Sequence, residues 1–120
     1  MKNFGLTQTE TKFADLIWEN EPIASMELVK LSEKEMKWKK STTFTVLKKL
    51  CEKGIFINED ALVSSVLNKE ELLAKQSRHY VEDTFGGSLP RFIAAFMSGG
   101  KLSDKQAGEL IRLIEGHEED

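Results

Sequence analysis

The apolar positions of the chain recur first with a helical period, then briefly with the period of a strand, then again with that of a helix. Phe13, Ala14, Leu16, Ile17 and Trp18 follow Thr7 and Glu10, whose three-residue spacing forms the capping box of a helix start. Pro22 predicts the end of that helix, because the residue ahead of a proline is steered out of the helical region. Ser25 is predicted to cap a second, short helix carrying Leu28, Val29 and Leu31, and the polar stretch from Ser32 to Lys37 to turn the chain. A third helix over 41–53 places Thr43, Val46, Leu47 and Leu50 on one face, since positions three, four and seven apart stack together. Gly54 suits the left-handed position that closes a helix. Beyond it, Ile55-Phe56-Ile57 and Leu62-Val63-Ser64-Ser65-Val66-Leu67 read as two strands of a hairpin, with Asn58-Glu59-Asp60-Ala61 as the turn.

Asn68 with Glu71 forms a second capping box, opening a helix through Leu72, Leu73, Tyr80 and Val81 to about Thr84. Phe85-Gly86-Gly87 ends it. Ser88 caps a short helix with Pro90 in its first turn, and that helix exposes Leu89, Phe92, Ile93, Phe96 and Met97. Ser98-Gly99-Gly100 is a break, and Ser103 with Gln106 caps a last helix striped by Ala107, Leu110, Ile111 and Ile114. The predicted fold is mainly α with a small β-hairpin: a winged helix-turn-helix DNA-binding domain, 1–67, followed by a helical dimerisation domain, 68–120. Three helices with so many large apolar groups and so little mass cannot bury those faces alone; a second copy of the chain is the simplest cover, and the other reading folds the last stripe back on the winged helix. Tyr80, Leu89, Phe92, Ile93, Phe96, Leu110, Ile111 and Ile114 are the expected dimer contacts.

Charge sharpens this division. The net charge of −3 argues against a nucleic-acid binder until it is located. Between Lys34 and Lys53, seven lysines stand against two glutamates, a local balance of +5, whereas from Asn68 onward seven basic residues against ten acidic ones leave −3. The side of the third helix opposite its core face carries Ser41, Thr42, Phe44, Thr45, Lys48 and Lys49. Hydroxyls can meet base edges and phosphates, ring and methyl carbons can pack on thymine methyls, and lysines neutralise phosphate. Such a face suits the DNA major groove; the other reading of it is the solvated side of an amphipathic helix. No arginine occupies this helix, so an A·T-leaning half-site is expected.

Other chemistry is thin. There is no glycine-rich phosphate loop and no nucleophile beside a base, so no enzyme and no cofactor are expected. His79, Glu82 and Asp83 share a helical face but read as a solvated surface rather than a metal site. The single cysteine, Cys51, excludes an internal disulfide and reads as packing. No apolar run reaches membrane-spanning length and no signal peptide is evident, so a cytoplasmic protein without membrane insertion is expected.

The residues resemble the penicillinase-repressor family of bacterial winged-helix regulators. The resemblance rests on Leu6-Thr7-x-x-Glu10 with Leu16-Ile17-Trp18, on Trp38 followed by Ser41-Thr42 and Val46-Leu47-Lys48-Lys49-Leu50 closing on Glu52-Lys53-Gly54, and on Phe96 with Lys101-Leu102-Ser103. It implies a homodimeric transcriptional repressor on a palindromic DNA operator, in which Ser41, Thr42, Phe44 and Thr45 would meet bases or phosphates and Lys39, Lys40, Lys48 and Lys49 would meet mainly phosphates. Some members are inactivated by a membrane-bound sensor protease, and the matching step here is Ala95-Phe96, with alanine where the family has asparagine. The wing tip, Glu59-Asp60, is acidic where members often carry basic residues, so it is expected to add little DNA affinity. The tail from Glu115 to Asp120 lacks the cysteines of the copper-responsive branch. The alternative reading is a winged helix that binds protein, or a regulator answering to a small ligand without proteolysis.

Overall fold

The computed structural model describes residues 4–117; Met1 to Asn3 and the acidic tail residues Glu118 to Asp120 lie outside the described residues. Within them the order is α1 (Gln8–Asn20), β1 (Ile23–Ala24), α2 (Ser25–Met36), α3 (Lys40–Glu52), β2 (Phe56–Glu59), β3 (Leu62–Ser65), α4 (Lys69–Phe85), α5 (Leu89–Ser98) and α6 (Asp104–Glu115). The chain divides into two compact units, one ending at His79 and the other beginning at Tyr80. The architecture is mainly α with a small antiparallel sheet, a winged helix followed by further helices.

One core holds the first unit. Phe13, Ala14 and Ile17 of α1, Leu28 of α2, Leu47 and Leu50 of α3, Ile55, Phe56, Val63 and Leu72 are buried together. Aromatic pairs tie the outer elements to it: Trp38 stacks obliquely on Phe13 at 5.1 Å between ring centroids, and Trp18 on Phe56 at 5.4 Å. The Trp18 indole N–H also donates to the Leu67 carbonyl at 3.0 Å, so the chain leaving the sheet is pinned to α1. Both capping boxes form. Thr7 N–H donates to Glu10 Oε1 at 2.8 Å and Glu10 N–H to Thr7 Oγ1 at 3.0 Å; Asn68 and Glu71 repeat the exchange at 2.9 and 2.8 Å.

The sheet is larger than a hairpin. β1 pairs antiparallel with β3, Ile23 opposite Val63, giving the strand order β1-β3-β2. The hairpin turn is tighter than Asn58-Glu59-Asp60-Ala61, because Asn58 and Glu59 pair with Val63 and Leu62. Only Asp60 and Ala61 remain in the loop, both at positive φ, 51° and 61°, as a two-residue turn matching the strand twist demands. Ala61 keeps that strained conformation while its carbonyl accepts the Ser25 N–H at 2.8 Å, joining the turn to the start of α2.

Two expectations at α2 fail here. Ser25 is not the cap: Ala24 takes that place without a side-chain bond, and Ser25 is the first helical residue, buried against the sheet. The stretch from Ser32 does not turn the chain either. Ser32 is itself fully buried, so tertiary packing holds the helix through Met36, and Lys37 at φ 59° makes the stop.

Gly86 and Gly87, at φ 59° and 83°, end α4, where an L side chain would be strained. The Ser88 hydroxyl accepts from Arg91 N–H at 3.2 Å and the Ser103 hydroxyl from Gln106 N–H at 3.1 Å, opening α5 and α6. Tyr80, Phe85, Phe92 and Phe96 form a chain of ring contacts with centroids 5.5 to 6.5 Å apart. Yet neither α5 nor α6 contains a buried residue.

Ala61→Gly should stabilise the protein by about 1 kcal/mol, because glycine adopts positive φ without the Cβ penalty. Urea unfolding followed by tryptophan fluorescence should show a higher midpoint at unchanged slope. A lower midpoint would mean that the turn carries no such strain.

Candidate nucleic-acid interface

The α2–α3 connection is three residues long, and each is fixed differently. The Lys37 N–H is bonded to the carbonyls of Glu33 and Ser32, Trp38 is held by its ring against Phe13, and Lys39 is extended at the start of α3. This short turn is what a helix-turn-helix needs to set one helix across another. No side chain caps α3 and no acidic residue lies in its first turn. Its leading N–H groups therefore add partial positive charge beside Lys39 and Lys40.

Burial sorts the residues of α3 into two sides. Thr43, Leu47 and Leu50 are buried, while Lys39, Lys40, Ser41, Thr42, Thr45, Lys48 and Lys49 are exposed. Phe44 departs from the exposed ring anticipated: it is half-buried and packs against the core. A helix face ending in a ring can fold that ring toward the neighbouring apolar surface, leaving only part of it to solvent. Thr45 is also partly committed, since its hydroxyl donates to the Ser41 carbonyl at 2.9 Å. Its oxygen retains acceptor capacity, and its methyl group remains an apolar contact.

The lysines separate likewise. Lys49 Nζ lies 2.9 Å from Glu10 Oε2, and Lys53 Nζ donates to the Gly5 carbonyl at 2.8 Å. Among the described residues, Lys39, Lys40 and Lys48 carry no ion pair. The Glu10 carboxyl is held down to about 2 from an ordinary value of 4.5, first by the Thr7 backbone N–H, then by Lys49, and further by the charge of Lys53, against the opposing effect of burial. Sequence reading placed Glu10 in the capping box but missed its second partner. Cys51 is half-buried against the core, and burial pushes its thiol pKa up, making it a poor nucleophile.

In the second unit the residues expected at a dimer seam are largely exposed. Tyr80, Leu89, Phe96, Ile111 and Ile114 face solvent, with Phe96 at 60% and Ile114 at 64% exposure, while Phe92, Ile93 and Leu110 are half-buried. Leu113, outside the stripe read from the sequence, is 72% exposed. Ala95 and Phe96 lie within α5, so the step between them is helical backbone. Among the described residues, no group of three or more His, Cys, Asp or Glu is placed to hold a metal ion, and no helix is long and apolar enough to cross a membrane.

The model of the penicillinase repressor family matches residues 6–116, nearly the whole chain. The chain belongs to the penicillinase repressor family. This is a family of transcriptional repressors, regulators rather than enzymes. None of the curated proteins matches the sequence significantly. Within the family match, the first compact unit supplies the winged helix and the lysine-rich α3.

The Glu10 carboxylate generates a pH prediction. A carboxyl whose folded value lies below its unfolded value stabilises the fold fully above the unfolded value, and this contribution is lost as pH falls through the folded one. On the order of 3 kcal/mol should therefore disappear between about pH 4.5 and 2. Glu10→Gln should show a flatter stability profile across that window in urea titrations. A parallel decline in both proteins would remove Glu10 as the source.

Proposed function

We propose that this penicillinase-family repressor acts in the cytoplasm as a homodimer that lays α3 in the major groove of a DNA operator with two-fold symmetry. The observation that carries the reading is the composition of α3's exposed side. Ser41, Thr42 and Thr45 offer short hydroxyls and methyls at its centre, and Lys39, Lys40 and Lys48 bracket them with cations that have no ion pair among the described residues. Each lysine that reaches a phosphate releases a condensed counterion, so affinity falls with salt. With no arginine on α3, guanine lacks its bidentate partner, and discrimination rests on hydroxyl contacts and on thymine methyls meeting Thr42, Thr45 and the exposed part of Phe44. Glu59 and Asp60 give the wing tip a charge that phosphate repels, so α3 and the lysines around its start supply the affinity.

Support for the homodimer comes from α5 and α6. Phe96, Met97, Ile111, Leu113 and Ile114 are exposed on short helices that bury no residue of their own. Self-association covers such faces in a symmetric way, and it doubles the reading head to match a palindrome.

Footprinting of the full-length protein on the DNA upstream of its own gene, at two salt concentrations, tests the reading. Two protected half-sites related by symmetry, weakening as salt rises, are expected. No protection at low salt would turn the winged helix toward a protein partner. Ile114→Glu places a charge on the exposed seam without disturbing a buried core. It should sediment as a monomer where the parent is a dimer and lose paired protection; an unchanged mass and footprint would exclude α6 from the dimer.

A further inference from the structure

We infer that Glu10 is a positioning residue for the DNA-reading helix: it holds Lys49 as a strut between α1 and α3 and withholds that lysine from the phosphates, although Lys49 lies on the basic side of α3. The inference rests on the reading of α3 as the DNA-contacting helix. Its ground is the geometry of one carboxylate. Oε1 accepts the Thr7 N–H at 2.8 Å, Oε2 meets Lys49 Nζ at 2.9 Å, and the Glu10 N–H is returned to Thr7 Oγ1 at 3.0 Å. Both oxygens are engaged, and the side chain is only 10% exposed.

The lysine end is different. The Lys49 side chain is 57% exposed, so its stem has room to swing. Glu10 has none, because the capping box fixes it to the first turn of α1. If Lys49 turned to a phosphate, it would leave behind a nearly buried carboxylate stripped of its ion-pair partner, an arrangement that costs more than an exposed lysine–phosphate contact returns. The other cation acting on Glu10, Lys53, is tied by its ammonium to the Gly5 carbonyl. Lys48 is exposed and has no ion pair among the described residues. Two neighbouring lysines on one helix thus have different work: Lys48 serves the DNA and Lys49 the fold.

The salt dependence of DNA binding separates these roles, because each lysine that neutralises a phosphate adds about 0.9 to the slope of log affinity against log salt. The full chain and its variants would be titrated with a mixed-sequence duplex over a range of salt. Lys48→Ala should lower the slope by about 0.9 for each bound subunit, about 1.8 for a dimer with both α3 helices on the DNA. Lys49→Met, which keeps an apolar stem where alanine could weaken packing, should leave the slope at the parent value. Glu10→Gln keeps an acceptor for the Thr7 N–H but removes the charge, so it should free Lys49 and steepen the slope by up to about 0.9 for each bound subunit. Glu10→Gln with Lys49→Met should return it to the parent value. A merely structural glutamate would not steepen the slope. A fall on Lys49→Met equal to that of Lys48→Ala, or an unchanged slope on Glu10→Gln, overturns the assignment while leaving α3 as the DNA helix. Absence of salt-dependent binding by the parent overturns the DNA reading itself, and this assignment with it.

Discussion

The Glu10 carboxylate joins two levels of the structure that are usually separate. Locally it is half of a capping box, satisfying an N–H that the start of α1 would otherwise leave without a partner. Globally it reaches α3 through Lys49. The helix that presents the basic surface is therefore referenced to the first turn of the fold as well as to the apolar core beneath it. Trp38 adds a second tie from the α2–α3 connection to Phe13 on the same helix. α1 thus bears on α3 from its N-terminal turn by charge, and from its middle by an aromatic contact on the connection that leads into α3.

The two compact units obtain their order by different means. The first closes around Phe13, Ile17, Leu28, Leu47 and Leu50, and its sheet is fastened by backbone pairing and by the Glu21 carboxylate, which accepts from both the N–H and the hydroxyl of Ser65. In the second, serine caps and glycine stops delimit each helix, and a chain of aromatic contacts runs from Tyr80 to Phe96. Local signals there specify where helices begin and end, but they do not by themselves take apolar surface out of water.

Most element boundaries were legible because their causes are local. Thr7 with Glu10, Asn68 with Glu71, Ser88 and Ser103 each act within four residues, and the structure places a helix start at every one. Features that depend on distant chain were not legible. Two residues, Ile23 and Ala24, are too few to signal a strand, and β1 exists because β3 offers a free edge. The polar run from Ser32 looked like a turn because its composition does not reveal that Ser32 is packed inside. The candidate interface was readable as a set of residue types at helical spacing. Its internal division was not, because the half-buried ring of Phe44 and the pairing of Lys49 depend on surfaces that no helical wheel contains.

Were the exposed apolar faces of α5 and α6 covered by a second copy, as proposed above, the stability of this unit would become a matter of concentration. Any species that binds the folded form and not the unfolded chain raises its stability in proportion to the logarithm of its own abundance. A unit whose α5 and α6 contain no fully buried residue gains the most from such mass action. The amount of covering partner in the cell would then govern both how much regulator is assembled and how long it survives, so that dilution alone becomes a signal.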